Sequence, residues 1–202
     1  IAWTVARRFS EFDFLRQQLD QESDAAPLTS AFPPKRWFWN MDPEVVEYLP
    51  SPIPESESRQ FASRIREHFT KHGYGLYALE SREDASFLGY TGLNWALFES
   101  DFTPALEVGW RLIRKAWGQG LATEAARACM ARAFRETDIS EIVSFTVPAN
   151  ARSAAVMKRL GMTRDPADDF VHPRLGPDHP LGHHIHYRVQ RSEWDAVRAD
   201  TD

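Results

Sequence analysis

Two glycines one residue apart, Gly118 and Gly120, stand in front of an alanine-rich run in RKAWGQGLATEA, Arg114 to Ala125. A helix starting there exposes unpaired N–H groups and a partial positive charge, the combination that holds phosphate. Neither glycine carries a Cβ, so a pyrophosphate can come close to that backbone, and Lys115 adds a nearby cation. The spacing is not a Walker loop, since the lysine precedes the glycines and no G-K-[ST] follows. The third glycine of the dinucleotide fingerprint is absent as well. Alone, the loop also fits a glycine-rich helix entry with no ligand. A second polar group stands out in VPANARSAAVMKRLGM. There Ser153, Val156, Met157 and Leu160 share one helical face, which puts a hydroxyl on an otherwise apolar stripe. That hydroxyl either bonds back to a helical carbonyl or donates a proton into a cleft.

The elements that position these groups follow from periodicity. Ser56 to Lys71 spaces Phe61, Ile65 and Phe69 four apart, an amphipathic helix that HGYG ends. YGLYALES and ASFLGYTGLNWAL alternate as two antiparallel strands around the turn REDA. In ALEVGWRLI, Leu106, Val108, Trp110 and Leu112 take one face of a third strand, and Glu107, Gly109 and Arg111 the other. The glycine pair and the helix LATEAARACMARAFRE come next, then the strand EIVSFTVP, stopped by Pro148. NARSAAVMKRLG is a helix with Asn150 as N-cap and Gly161 past its end. HHIHYRVQ is a last strand and SEWDAVRAD a short terminal helix or tail. Earlier, Asp42 before Pro43 predicts a brief helix over Pro43 to Leu49, and Ser23 to Phe32 a short helix. Phe12 to Leu19 fits a strand or a helix. This order predicts an α/β fold with a mixed sheet covered on both faces.

Composition limits the function classes. The chain has 202 residues, 43% hydrophobic and 26% charged, which suits one soluble domain over residues 1–202. Its net charge of -5 and lack of a basic block argue against a nucleic-acid module. The single Cys129 excludes an internal disulfide and a cysteine-built zinc site. No apolar run approaches the roughly 18 residues of a membrane helix, and IAWTVARRFSEFDF has no secretory pattern. The expectation is a cytoplasmic protein without membrane partners, as a monomer or homodimer.

LEVGWRLIRKAWGQGLATEAARACMARAF and VPANARSAAVMKRLGM, with MDPEVVEYLP and FLGYTGL, resemble the GNAT acetyltransferase superfamily, in its ribosomal-protein N-terminal acetyltransferase-like branch. The resemblance covers about Phe12 to Arg191, leaving 1–11 and 192–202 as extensions. It implies a GNAT fold, a mixed, mostly antiparallel sheet with a splayed strand pair for coenzyme A. Trp117, Gly118, Gln119, Gly120, Leu121 and Ala122 would then cradle the pyrophosphate of acetyl-CoA, the co-substrate, with Lys115 beside them. Backbone groups of Trp110, Arg111, Leu112 and Ile113 would pair with the pantetheine arm as an added strand, and Asn150 would contact that arm. Gly109 falls where the family often has a bulge that splays the strand.

The implied chemistry is direct acetyl transfer to an amine, without a covalent enzyme intermediate. An amine of pKa ~8 to 10 is mostly protonated at neutral pH, so a base must take its proton. By the resemblance that base is Glu107, whose alternative is a salt-bridged strand carboxylate. A backbone N–H near Gly109 or Trp110 would stabilise the oxyanion. Where many members carry a tyrosine acid this chain has Met157, which leaves Ser153 or water to protonate the thiolate. Trp37, Trp39, Trp95, His172 and His184 are the expected acceptor-lining residues. His184 and His186 share a strand face with His172 or His179 nearby, yet no helical H-x-x-x-H or cysteine joins them, and no metal is expected. The acceptor is first a protein N-terminal amine and second a small amine. A catalytically silent coenzyme A sensor and a nucleotide-phosphate binder are the rival readings.

Overall fold

The structure, a computed structural model, describes residues 42–50, 55–81, 84 and 86–194. The chain divides into two units, Ile1–Arg36 and Trp37–Asp202, and every described residue belongs to the second. The expectations for residues 12–19 and 23–32 and for Trp37 and Trp39 lie outside the described residues.

Helix α1 (Glu55–His72) leads into β1 (Leu76–Glu80), β2 (Phe87–Ala96) and β3 (Ala105–Leu112). A 3₁₀ turn over Arg114–Ala116 precedes α2 (Leu121–Glu136), and β4 (Glu141–Thr146), α3 (Ala151–Arg159), β5 (Phe170–Val171) and β6 (His183–Gln190) follow. The sheet order is β1-β2-β3-β4-β6-β5. All neighbours are antiparallel except β3 and β4, whose parallel pairing is what a crossover through α2 requires. The α/β fold with a mixed sheet is therefore as the element order predicts, and its mostly antiparallel pairing is as the resemblance implies.

Alternation along β3 sorts its side chains. Leu106, Val108 and Leu112 are buried on the face covered by α2, which contributes Ala126, Met130 and Phe134. Truncating a core leucine such as Leu106 costs about 2–5 kcal/mol by lost burial and cavity formation. On the other face, Phe61 of α1 lies 5.6 Å from the Tyr90 ring of β2. At the β1 edge Phe69 meets Tyr77, which lies on the α2 face and accepts from Arg132 at 2.8 Å.

One local expectation needs revision. Pro43 to Leu49 forms linked turns rather than a helix: Val45 and Val46 both donate to the Asp42 carbonyl, and Leu49 donates to Val46. The two-residue β5 and the 3₁₀ turn Pro166–Asp168 carry too few residues for any periodicity to announce. Residues 191–194 are helical, so the segment expected as a short terminal helix or tail begins as a helix. The Asn150 cap and Gly161 stop are as expected. Gly161 donates to Lys158 and Met162 donates to Met157, a Schellman closure.

Candidate active site

The site begins where two strands part. β2 and β3 stay in register from Gly89↔Leu112 to Ala96↔Ala105, whereas β3 and β4 share the single pair Glu107↔Val143. Ile113 donates to the Leu88 carbonyl at 2.9 Å. Alternation along an antiparallel strand then turns the N–H and C=O of Trp110 and the N–H of Leu112 away from β2, toward the β4 side. The Leu112 carbonyl on that side accepts from the Trp117 indole at 2.9 Å. The backbone of Trp110, Arg111 and Leu112 thus forms one wall of a wedge open beyond Glu107. The bulge expected at Gly109 is not there, since Gly109↔Gly92 continues the β2–β3 register without a break. The wedge comes from divergence of β4 instead, and Thr91 Oγ1 donates to the Gly109 carbonyl at 3.0 Å.

The glycine loop lies at the far end of that wall. Gly118 and Gly120 adopt φ of 73° and 79°, left-handed conformations that cost other L-residues roughly 1–2 kcal/mol. A Cβ on either would meet nothing within 4 Å, so the loop leaves open space over its backbone. The first α-helical bond of α2 runs from Glu124 to the Gly120 carbonyl. Among the described residues, no backbone carbonyl accepts from the amides of residues 118–123. That is the donor array a pyrophosphate requires, at the positive end of a 16-residue helix. Gln119 folds back to donate to the Lys115 carbonyl, and Lys115 Nζ donates to Ser86 Oγ at 3.2 Å.

One residue here escaped the sequence reading. The Arg152 guanidinium sits 4.3 Å above the Trp117 ring, beside the loop, and pairs with Glu47 at 3.0 Å. Arg114 pairs with Glu44 in the same turn segment at 2.7 Å. The signal was present, because Arg152 is the N2 residue of the helix capped by Asn150, which the resemblance implies beside the cofactor arm.

Asn150 caps α3, its Oδ1 accepting from the Ser153 amide at 3.2 Å while its Nδ2 donates to Thr146 Oγ1 at 3.1 Å. The side chain therefore ties the helix start to the end of β4. Met157 and Leu160 are each 1% exposed and anchor the stripe, Val156 is half-buried, and Ser153 keeps partial exposure. Among the described residues, no helical carbonyl accepts from the Ser153 hydroxyl.

Glu107 is surrounded by protein yet retains solvent access, as a group at the floor of a crevice does. Burial raises its pKa from 4.5 to about 7. Among the described residues no cation pairs with it, which removes the salt-bridge alternative there. A carboxylate poised near neutrality is suited to accept a proton and to release it again.

The expected acceptor residues divide. Directly opposed residues share a sheet face, and Trp95 opposes Leu106 while Asn94 opposes Glu107. Trp95 thus lies on the α2 face, its indole donating to Tyr74 Oη at 3.1 Å, and is not brought together with Glu107. His172 and His184 do come together, ring centroids 5.3 Å apart, against Phe145 and Phe170. Burial lowers the pKa of both imidazoles, and it lowers that of His186 to about 4. Among the described residues no group of three His, Cys, Asp or Glu side chains is placed to hold a metal, and no helix is long and apolar enough to cross a membrane.

Comparison with known proteins converges on this geometry. The family model for the acetyltransferase (GNAT) domain matches residues 18–163. The FsC-acetyl coenzyme A-N(2)-transacetylase of Aspergillus fumigatus is 30% identical over 166 residues, covering 77% of this chain and 68% of that protein. An acetyltransferase structure from Agrobacterium tumefaciens is 27% identical with a TM-score of 0.61, over 80% of this chain and 85% of that one. The ribosomal-protein-S5-alanine acetyltransferase of Vibrio fischeri shares the fold, with a TM-score of 0.65 at 16% identity over 84% and 92% of the two chains. With its splayed strands, glycine-led helix and family match, this chain belongs to the GNAT acetyltransferase family and is an acetyl-CoA-dependent N-acetyltransferase.

Proposed function

We propose that Glu107 is the general base of a direct acetyl transfer from acetyl-CoA to the primary amine of a small molecule. The observation that carries this reading is the raised carboxylate, without a cation partner among the described residues, at the point where β3 and β4 part. Loop amides 118–122 hold the pyrophosphate, and Arg152 and Lys115 add positive charge nearby. The pantetheine arm runs along the free edge of Trp110 to Ile113, with Asn150 at the opposite lip. Its thioester then reaches the mouth of the wedge, where the Trp110 N–H is the first β3 amide beyond the β4 pairing and is the oxyanion donor. Glu107 removes the ammonium proton directly or through water, and the free amine attacks the thioester carbon. The tetrahedral intermediate expels the coenzyme A thiolate. The proton shed by the attacking nitrogen reaches that sulfur through the Ser153 hydroxyl or water, which gives up one proton as it takes up the other.

A nitrogen acceptor is supported by the name of the 30%-identical relative, an N(2)-transacetylase. A protein N-terminal amine, the acceptor of the ribosomal-protein branch, is the second reading and is favoured by fold likeness alone. A cytoplasmic location fits a reaction that consumes acetyl-CoA. Calorimetric titration with acetyl-CoA, with ATP and NAD as controls, tests the cofactor assignment. Micromolar binding of acetyl-CoA alone supports it. Equal binding of ATP returns the loop to a general phosphate site, and tight binding without transfer to any amine favours the silent sensor.

A further inference from the structure

Six rings form a wall on the Glu107 side of the sheet. Val143 is the β4 partner of Glu107 and Phe145 lies two residues on, so both share its face. Phe145 opposes His186, and His184 opposes Phe170, which extends that face across β6 to β5. From the loop between β2 and β3, Phe98 reaches over to lie 5.6 Å from Phe145, 5.8 Å from Phe170 and 4.6 Å from His172. Phe102 packs 4.9 Å from Phe170 and 4.3 Å from His186, whose buried ring forms the floor. Phe98, Phe102, Phe145, Phe170, His172 and His184 all remain half-exposed, so the wall is a surface rather than a sealed core.

Resting on the acetyltransferase reading, we propose that this wall is the acceptor subsite and that it selects a primary amine on a short aromatic arm, a small arylalkylamine, over a polyamine. Ring faces offer a flat aromatic group offset-stacked and edge-on contacts, which a methylene chain matches poorly. The two histidines sit below their usual imidazole range and add rings without charge. A polyamine needs carboxylates for its second ammonium, but Asp169 behind the wall is bound by Arg164 and the His186 amide, and Asp168 pairs with Arg188 at 2.7 Å. The exposed Glu99 and Asp101 flank the two loop phenylalanines and attract a single ammonium toward the mouth without holding it.

The test compares kcat/KM for 2-phenylethylamine, n-butylamine, spermidine and a tetrapeptide with a free N-terminus, at saturating acetyl-CoA. The expected result is 2-phenylethylamine at least about tenfold above the others, the range one apolar group contributes in a shaped pocket. Phe145→Ala is expected to remove that preference through KM, leaving acetyl-CoA affinity unchanged. Phe98→Leu, a smaller change on the β2–β3 loop, is expected to shift it in the same direction. Equal use of the amines, preference for spermidine or the peptide, or variants that lower every acceptor alike would overturn the proposal. Transfer to no amine would overturn the acetyltransferase reading instead. The wall is then decided by titrating N-acetyl-2-phenylethylamine and N-acetylbutylamine into the coenzyme A-saturated protein, where equal affinities sink it.

Discussion

The two sides of the wedge are built from different materials. The proposed cofactor side is mostly backbone: a strand edge, a loop of bare amides and a helix start, with Gly118 and Gly120 supplying conformations few other residues adopt. The proposed acceptor side is mostly side chain, with rings drawn from the β2–β3 loop, β4, β5 and β6. Backbone sites need a local run of suitable residues and tolerate changes elsewhere. Side-chain walls depend on distant segments that only the tertiary fold brings together. Glu107 stands between them, because its strand lends one edge to the proposed cofactor side and its side chain lies on the face of the proposed acceptor wall.

The largest expected effect breaks the link between the sides. Glu107→Gln should lower kcat by about 100-fold or more, within the range of general-base catalysis, and leave the acetyl-CoA Kd unchanged. Stopped kcat measurements alongside calorimetry check this, and weakened cofactor binding would place Glu107 on the wrong side. Next, Gly118→Val should raise the acetyl-CoA Kd about tenfold, from about 1–2 kcal/mol of left-handed strain, while kcat at saturation survives. A loss of kcat with unchanged Kd would take the loop out of the cofactor site. Ser153→Ala should cost only a few-fold in kcat, since a thiolate leaves readily and the Asn150 cap uses the Ser153 amide, not its hydroxyl. A drop as large as that of Glu107→Gln would make the serine indispensable.

The smallest effect concerns stability. Folding raises the Glu107 pKa from 4.5 to about 7, so the folded state holds a proton that the unfolded chain has released between those values. Stability from this group is therefore lost as pH rises from 4.5 to about 7 and stays lost above. Glu107→Gln removes that loss: its Tm should exceed the wild-type value at pH 8 and match it near pH 4. A lower Tm for the variant at pH 8 would mean that the ionised carboxylate has a stabilising partner.

How much of this was legible followed the same division. β3, the glycine loop, α2 and the Asn150-capped α3 are each short-range patterns, so periodicity and caps were enough to place them. The fold class followed from their order. Trp95 misled because aromatic content says nothing of sheet face, and its pairing with Leu106 turns it from Glu107. The Gly109 bulge was expected from resemblance, whereas the wedge arises from β4, whose divergence no local feature of β3 reports. Phe145 and Phe170 were unremarked because each is one apolar residue of a strand until β4, β6 and β5 pair. Arg152 was overlooked for want of knowing that Trp117 lies beneath it.

The central claim is that Glu107 takes the proton from the attacking amine. It is tested most directly by the pH dependence of kcat/KM in wild type and Glu107→Gln, with a weakly basic acceptor that stays unprotonated across the range. The wild-type rate should rise as the carboxylate ionises through about pH 7, and the variant should be slow and flat over the same interval. Parallel profiles for the two proteins would contradict the account and leave the wedge with a different base.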